Sequence, residues 1–187
     1  NNAGGGGINN SFVGSSSGYS NGTGSNNTAT GLGTLYFNSS GTGNTANGVN
    51  SLTANTTGDW NTAGGFQALA FNSTGNNNTA NGYFSLYNNV AGSNATAIGY
   101  HAMRYANNIA TPFTNYNVAV GYESLRGSTT AADNTGNSNT AIGYQTLFNN
   151  STGFSNTANG RQSLYSNTGG DNNTAIGYQA LYDNTTG

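Results

Sequence analysis

Apolar positions in this chain recur on a fixed period rather than with helical spacing. The stretch Asn173–Gly187 opens with a five-residue head, Asn-Thr-Ala-x-Gly, and that head returns along almost the whole sequence. The glycines closing the heads are Gly14, Gly31, Gly48, Gly65, Gly82, Gly99, Gly121, Gly143, Gly160 and Gly177, 17 residues apart except for two consecutive intervals of 22. A short period held this long marks a solenoid. With the head Asn as position 1, position 3 is Ala in every copy but the first, which has Phe12, and position 9 is Leu in most copies, from Leu35 to Leu181. Positions 3, 5 and 9 share odd parity, as one face of extended chain does. The pattern predicts an all-β, parallel β-solenoid of about ten coils, two of them carrying five-residue insertions.

Each coil is expected to hold two short strands, at about positions 2–6 and 8–11, with Ala, Gly and Leu facing inward. Position 12 is Asn and position 15 is Gly in every 17-residue copy, from Asn21 and Gly24 to Asn184 and Gly187. Both residues tolerate positive φ, so a turn is expected there. Identical Asn side chains stacked coil on coil are expected to form hydrogen-bonded ladders. A single coil buries too little to fold alone, so stability must come from stacking. Residues 1–9 are expected to be a frayed or partial coil, and 10–187 one repeat domain about 50 Å long at the interstrand spacing.

Positions 6 and 10 have the opposite parity and become aromatic: Tyr83, Tyr100, Tyr122, Tyr144 and Tyr178 at the first, Tyr19, Tyr36, Tyr87, Phe148, Tyr165 and Tyr182 at the second. They are expected to run as outer stripes, more apolar than a bland solvated face requires. The two longer coils hold the single Pro (Pro112), the single His (His101), the single Glu (Glu123) and two of three Arg (Arg104 and Arg126). Their extra residues, within 106–116 and 127–138, should bulge on one side. This makes His101, Arg104, Tyr105, Pro112, Phe113 and Tyr116, with Tyr122, Glu123 and Arg126, the candidate contact surface. Arg104 and Arg126 share position 10, so stacking brings them about 5 Å apart and calls for a carboxylate, from Glu123 or from a partner. His101, with no second His and no Cys, is expected to be a surface imidazole.

Composition narrows the function classes. Charged residues are 4% of the chain, there is no Lys, and the net charge is -2. Nothing basic is available to track phosphates or anionic lipid, so neither nucleic acid nor membrane is an expected partner. The absence of Cys excludes disulfides and thiol chemistry. No His/Asp/Ser or paired-carboxylate arrangement is evident, and no cofactor or metal is expected. Asn-x-Ser/Thr sequons recur, with Asn38, Asn55, Asn72, Asn150 and Asn184 as candidate glycosylation acceptors. Thr occupies position 2 in most copies, an evenly spaced rank like those of ice-binding solenoids, although position 4 beside it is irregular.

The heads Asn-Thr-Ala-Ile-Gly-Tyr-Gln-Ala-Leu at 173–181 and Asn-Val-Ala-Val-Gly-Tyr-Glu-Ser-Leu at 117–125 resemble the head repeats of trimeric autotransporter adhesins (the YadA-like head) and related bacterial and phage fibre repeats. The resemblance runs from Asn10 to Gly187, with a longer period than such heads usually show and with Asn47, Asn81 and Asn159 where they prefer an aliphatic residue. It implies a left-handed parallel β-roll, three chains side by side, and a role in attachment at the cell surface or on a virion fibre. The expected partners are copies of the same chain, as a homotrimer or an end-to-end filament, and a host or surface receptor or glycan.

Overall fold

The computed structural model describes residues 6–187. Among them twelve short strands follow in order: β1 (Ser11–Val13), β2 (Thr28–Thr30), β3 (Thr45–Asn47), β4 (Thr62–Gly64), β5 (Thr79–Asn81), β6 (Gly92–Ser93), β7 (Thr96–Ile98), β8 (Phe113–Thr114), β9 (Val118–Val120), β10 (Thr140–Ile142), β11 (Thr157–Asn159) and β12 (Thr174–Ile176). All but β6 and β8 form one ten-stranded parallel sheet in sequence order, one strand per coil. Its register is that of the repeat: Ala29 pairs with Ala46, Ala46 with Ala63, and so on to Ala158 with Ala175. The fold is a parallel β-solenoid. Within each strand the middle residue is turned inward and its neighbours outward, as the period-2 pleat dictates, and the Ala at position 3 is essentially inaccessible from Ala29 to Ala158.

The expected second strand at positions 8–11 does not form in the described residues. That stretch is a run of turns in which position 9, though Leu or Met, adopts φ between 47° (Leu35) and 53° (Leu69), and position 7 is also left-handed, as at Gln67 and His101. Bulky residues avoid this region by themselves. Along the stack these are held by the next coil: Leu35 N–H donates to Ser51 O, Leu69 N–H to Ser85 O, Leu147 N–H to Ser163 O. The kink turns the Leu side chain into the coil, where Leu35, Leu52, Leu69, Leu86, Leu147 and Leu164 are fully buried against the Ala column. Stacking thus overrides local preference, which period counting alone cannot reveal.

The turn chemistry differs from expectation as well. In the regular coils positive φ falls at positions 5, 7, 9 and 17, and not at the Asn of position 12 or the Gly of position 15. Gly at position 5 has φ from 118° (Gly65) to 140° (Gly82), a region that L side chains rarely occupy. Gly at position 15 is required for space instead: a Cβ on Gly58 would stand 2.4 Å from Gly75 O and 2.5 Å from Asn55 Oδ1.

The Asn at position 12 is buried and forms the expected ladder. Asn38 Nδ2 donates to Asn21 Oδ1 at 2.7 Å and to Gly41 O at 2.9 Å, and Asn55 and Asn72 repeat the pattern. A second ladder runs through the head Asn: Asn44 Nδ2 donates to Gly58 O, while its Oδ1 accepts the backbone N–H of Asn61. Two amides of a regular coil therefore converge on one glycine carbonyl at position 15, as Asn44 and Asn55 do on Gly58 O, closing this side of the coil with polar contacts beside the Leu and Ala column. Paired in this way, fully buried amides avoid the penalty of unsatisfied polar groups. At the leading edge, Gly7 N–H donates to Gly22 O and Asn9 Nδ2 to Asn26 Oδ1, in register with the following coil; residues 1–5 of the expected frayed segment lie outside the described residues.

Candidate functional site

The two longer coils, 95–116 and 117–138, interrupt both the ladders and the turn column. At position 12 they carry Ala106 and Ser128 instead of Asn. As a result Asn89 Oδ1, which would accept the next rung, is buried without a partner. The first insertion supplies β8, paired with β6, and Phe113 packs where a side chain on Gly92 would be. The second folds into a 3-10 turn, Ala131–Asp133. Asn134 ties the two together: its Nδ2 donates to Tyr105 O and to Ser128 O, and its Oδ1 accepts from Ser128 N–H at 2.8 Å. Sequence reading missed Asn134, for in a chain so rich in Asn nothing in sequence sets it apart. Beneath the insertions lies a cavity of ≈ 20 Å³ lined by Ala106, Asn107, Asn117, Arg126 and Asn134 among others, about room for one water.

On the adjoining face His101, Arg104, Glu123 and Arg126 come together. His101 is not the surface imidazole expected: it is 7% exposed, because neighbouring rings cover it, Tyr100 stacking on it with ring centres 3.8 Å apart and Tyr83 and Phe84 packing beside it. Arg104 Nη1 lies 3.2 Å from His101 Nε2 and 3.4 Å from Nδ1. Burial, reinforced by Arg104, lowers the His101 pKa, while Glu123 opposes the shift. Glu123 Oε1 sits 3.8 Å from His101 Nδ1 and 3.9 Å from Arg126 Nη1, and its Oε2 accepts from Gln145 Nε2 at 2.9 Å. Glu123 thus supplies the carboxylate expected for the arginine pair, but only to Arg126.

Both guanidinium groups are packed against aromatic rings. Arg104 Cζ lies 4.9 Å from the Phe84 ring centre and 5.1 Å from that of Tyr105; Arg126 Cζ lies 4.1 Å from Phe148 and 5.5 Å from Tyr105. Cation–π contacts of such partly desolvated groups are worth about 0.5–2 kcal/mol each. Alongside runs the position-6 stripe. Phe66, Tyr83, Tyr100, Tyr122 and Tyr144 stack at 5.0–5.3 Å with nearly parallel rings, and Arg161 continues the column between Tyr144 and Tyr178. Position 7 adds a carboxamide ladder that sequence reading did not anticipate, Gln179 to Gln162 to Gln145 to Glu123.

Of the nine candidate contact residues, His101, Arg104, Tyr105, Tyr122, Glu123 and Arg126 are gathered on this face. Pro112 and Phe113 line a shallow groove on the insertion with Ile109 and Thr111, and Tyr116, 61% exposed, stands at the coil corner. The glycosylation sites fare differently. Asn38, Asn55, Asn72 and Asn150 are buried rungs whose Nδ2 atoms are committed to Gly carbonyls, so the folded chain cannot offer them for modification. Asn184 is half-buried and bonded in the same way.

No group of three or more potential metal-ligating side chains occurs among the described residues, and no helix there is long and apolar enough to cross a membrane. Comparison with family models, characterised proteins and solved structures gave no match to this chain.

Proposed function

We propose that this chain is a segment of an extracellular fibre, a head or shaft, that acts by attachment and self-association rather than catalysis. The observation that carries the reading is the continuous outer aromatic column from Phe66 to Tyr144, with the exposed Ile98, Ile142 and Ile176 one pleat away. A periodic apolar stripe on a chain with few charges is what neighbouring copies can bury against one another, and a homotrimer is the assembly implied by the repeat resemblance. The insertions on the two longer coils serve as the local contact surface for a receptor or glycan. The test is to delete the five extra residues from each longer coil, then measure native mass by light scattering and attachment to an array of glycans and matrix proteins. Loss of attachment with folding intact is expected; if both assembly and attachment are unchanged, the reading fails.

A second reading is end-to-end polymerisation, since each coil presents the same strand in the same parallel register to the next, and a coil of another chain could add by that pairing. It predicts a mass that grows with protein concentration instead of a fixed multiple of 19.0 kDa. A third, ice binding through the exposed Thr rank on the sheet (Thr28, Thr45, Thr62), predicts thermal hysteresis.

A further inference from the structure

Charge is scarce in this molecule and unevenly placed. Two of three Arg, the only His and the only Glu lie in one cluster on two adjacent coils. With His101 held neutral, the cluster carries two positive charges and one negative. Glu123 ion-pairs with Arg126 and faces His101, and among the described residues no carboxylate reaches Arg104 within ion-pairing distance. The remaining acids are elsewhere: Asp59 and Asp171 accept backbone N–H groups of Thr42 and Phe154 in other coils, Asp133 lies on the 3-10 turn, and Asp183 is in the last coil. A cation partly withdrawn from water and packed between Phe84 and Tyr105 calls for a counter-charge.

A second, independent observation points the same way. The Nε atoms of Arg104 and of Arg126 are both buried without a hydrogen-bond partner. The guanidinium groups are therefore held in place by ring packing rather than by hydrogen bonds at Nε, and an anion reaches them through their Nη atoms, the buried Nε being closed to solvent. Planar, fixed guanidinium groups recognise planar anions such as carboxylates.

We propose that Arg104 and Arg126 hold the carboxylate of an acidic sugar, so that the contact surface inferred above binds uronate-bearing glycans. The surroundings favour a sugar over a peptide. In the main sheet the strands of the two longer coils, β7 and β9, are paired on both sides, so beside the arginines the sheet offers no open edge for strand addition; β8 on the insertion pairs only with β6. Beyond Glu123, whose Oε2 accepts from Gln145, runs instead a row of neutral hydrogen-bonding groups, the Tyr122 and Tyr144 phenols and the carboxamides of Gln145 and Gln162, repeating once per coil along the axis. Hydroxyl groups of successive sugars can pair with such a row while one carboxylate is anchored at the arginines.

The proposal rests on the attachment reading, and the test separates the two. The folded chain is titrated by calorimetry with an oligogalacturonate and with a neutral gluco-oligosaccharide of the same length. The oligouronate is expected to bind at least about tenfold more tightly, as charge-assisted pairing requires, and to weaken with salt. Arg104→Gln should remove most of that preference and Arg126→Gln part of it, with Arg161→Gln, on the Tyr column, leaving it unchanged. Should Arg104→Gln unfold the chain, Arg104→Lys keeps the charge, loses the planar fork and should still weaken binding. Equal affinity for both sugars, or uronate binding indifferent to both arginines, overturns the site. Absence of uronate binding, with attachment still lost on deleting the insertions, overturns the site and leaves the attachment reading standing. Uronate binding through the arginines without attachment upholds the site alone.

Discussion

The regular coils from Asn27 to Asn94 and the two longer coils from Ala95 to Ser138 share a strand, a sheet and a register, yet differ in how they satisfy their buried groups. In the regular coils the inner amides repeat their neighbours' bonds, and charged groups are almost absent. In the longer coils both Asn ladders lose rungs, Asn115 accepts from Asn117 N–H in place of the missing head Asn, and Asn134 rebuilds the turn by a different route. There too the arginines, the histidine and the glutamate collect. A strict repeat is under pressure at every position to match the coil above and below, so it has little freedom for chemistry. Where the period breaks, that pressure lifts. Departures from local rules tend to mark function for this reason.

The contrast can be tested by substitution, and the largest effects belong to the regular coils. Gly58→Ala forces a Cβ to within 2.4 Å of Gly75 O, backbone that cannot yield without parting two coils; loss of the cooperative thermal transition is expected in circular dichroism. Next is Asn55→Ala, which strips partners from Asn38 Oδ1 and from Gly58 O. It should cost about 2–4 kcal/mol in denaturant melts. Asn89→Ala, whose Oδ1 is already unpartnered, should cost distinctly less, on the order of 1–2 kcal/mol. Equal losses at the two positions would mean that the ladder does not end where the longer coils begin.

A smaller effect concerns His101. Its pKa is lowered in the folded chain, mainly by burial, so the unfolded chain binds its proton more readily. Stability due to the neutral ring is complete above the unfolded value of 6.5 and declines as pH falls below it toward the folded value. His101→Gln should flatten this dependence just below that pH, read as the shift of melting temperature with pH. The smallest effect runs in the opposite direction. Ala106→Asn restores a donor for Asn89 Oδ1 and should gain about 1 kcal/mol if the cavity beneath the insertion accepts the amide.

The parts of this architecture legible in the sequence were those that repetition writes directly. The head glycines marked the coil count and register, the Ala of position 3 and the Leu of position 9 the inner column, the Asn of position 12 the ladder, and the Tyr of position 6 the outer stack. What repetition could not disclose was backbone conformation set by the neighbouring coil. Leu69 in an isolated peptide would favour extended or helical φ, and in the stack the bond from its N–H to Ser85 O, together with burial, supports the left-handed conformation. The candidate site was legible as residue types, through the concentration of charge at His101–Arg126. Its geometry was not: the burial of His101 depends on the rings of Tyr83, Phe84 and Tyr100 closing around it, and the role of Asn134 on a loop without periodicity.

The central claim is that the stack is continuous through the longer coils while its inner ladders are not. Amide hydrogen exchange resolved by residue tests it most directly. Strand amides such as Ala46, Ala97, Ala119 and Ala141 should exchange together at the slow, global rate, whereas amides of 107–114 and 128–134 should exchange faster by local opening. Uniformly slow exchange through both insertions, or a break in strand protection at Ala97 and Ala119, would contradict the account.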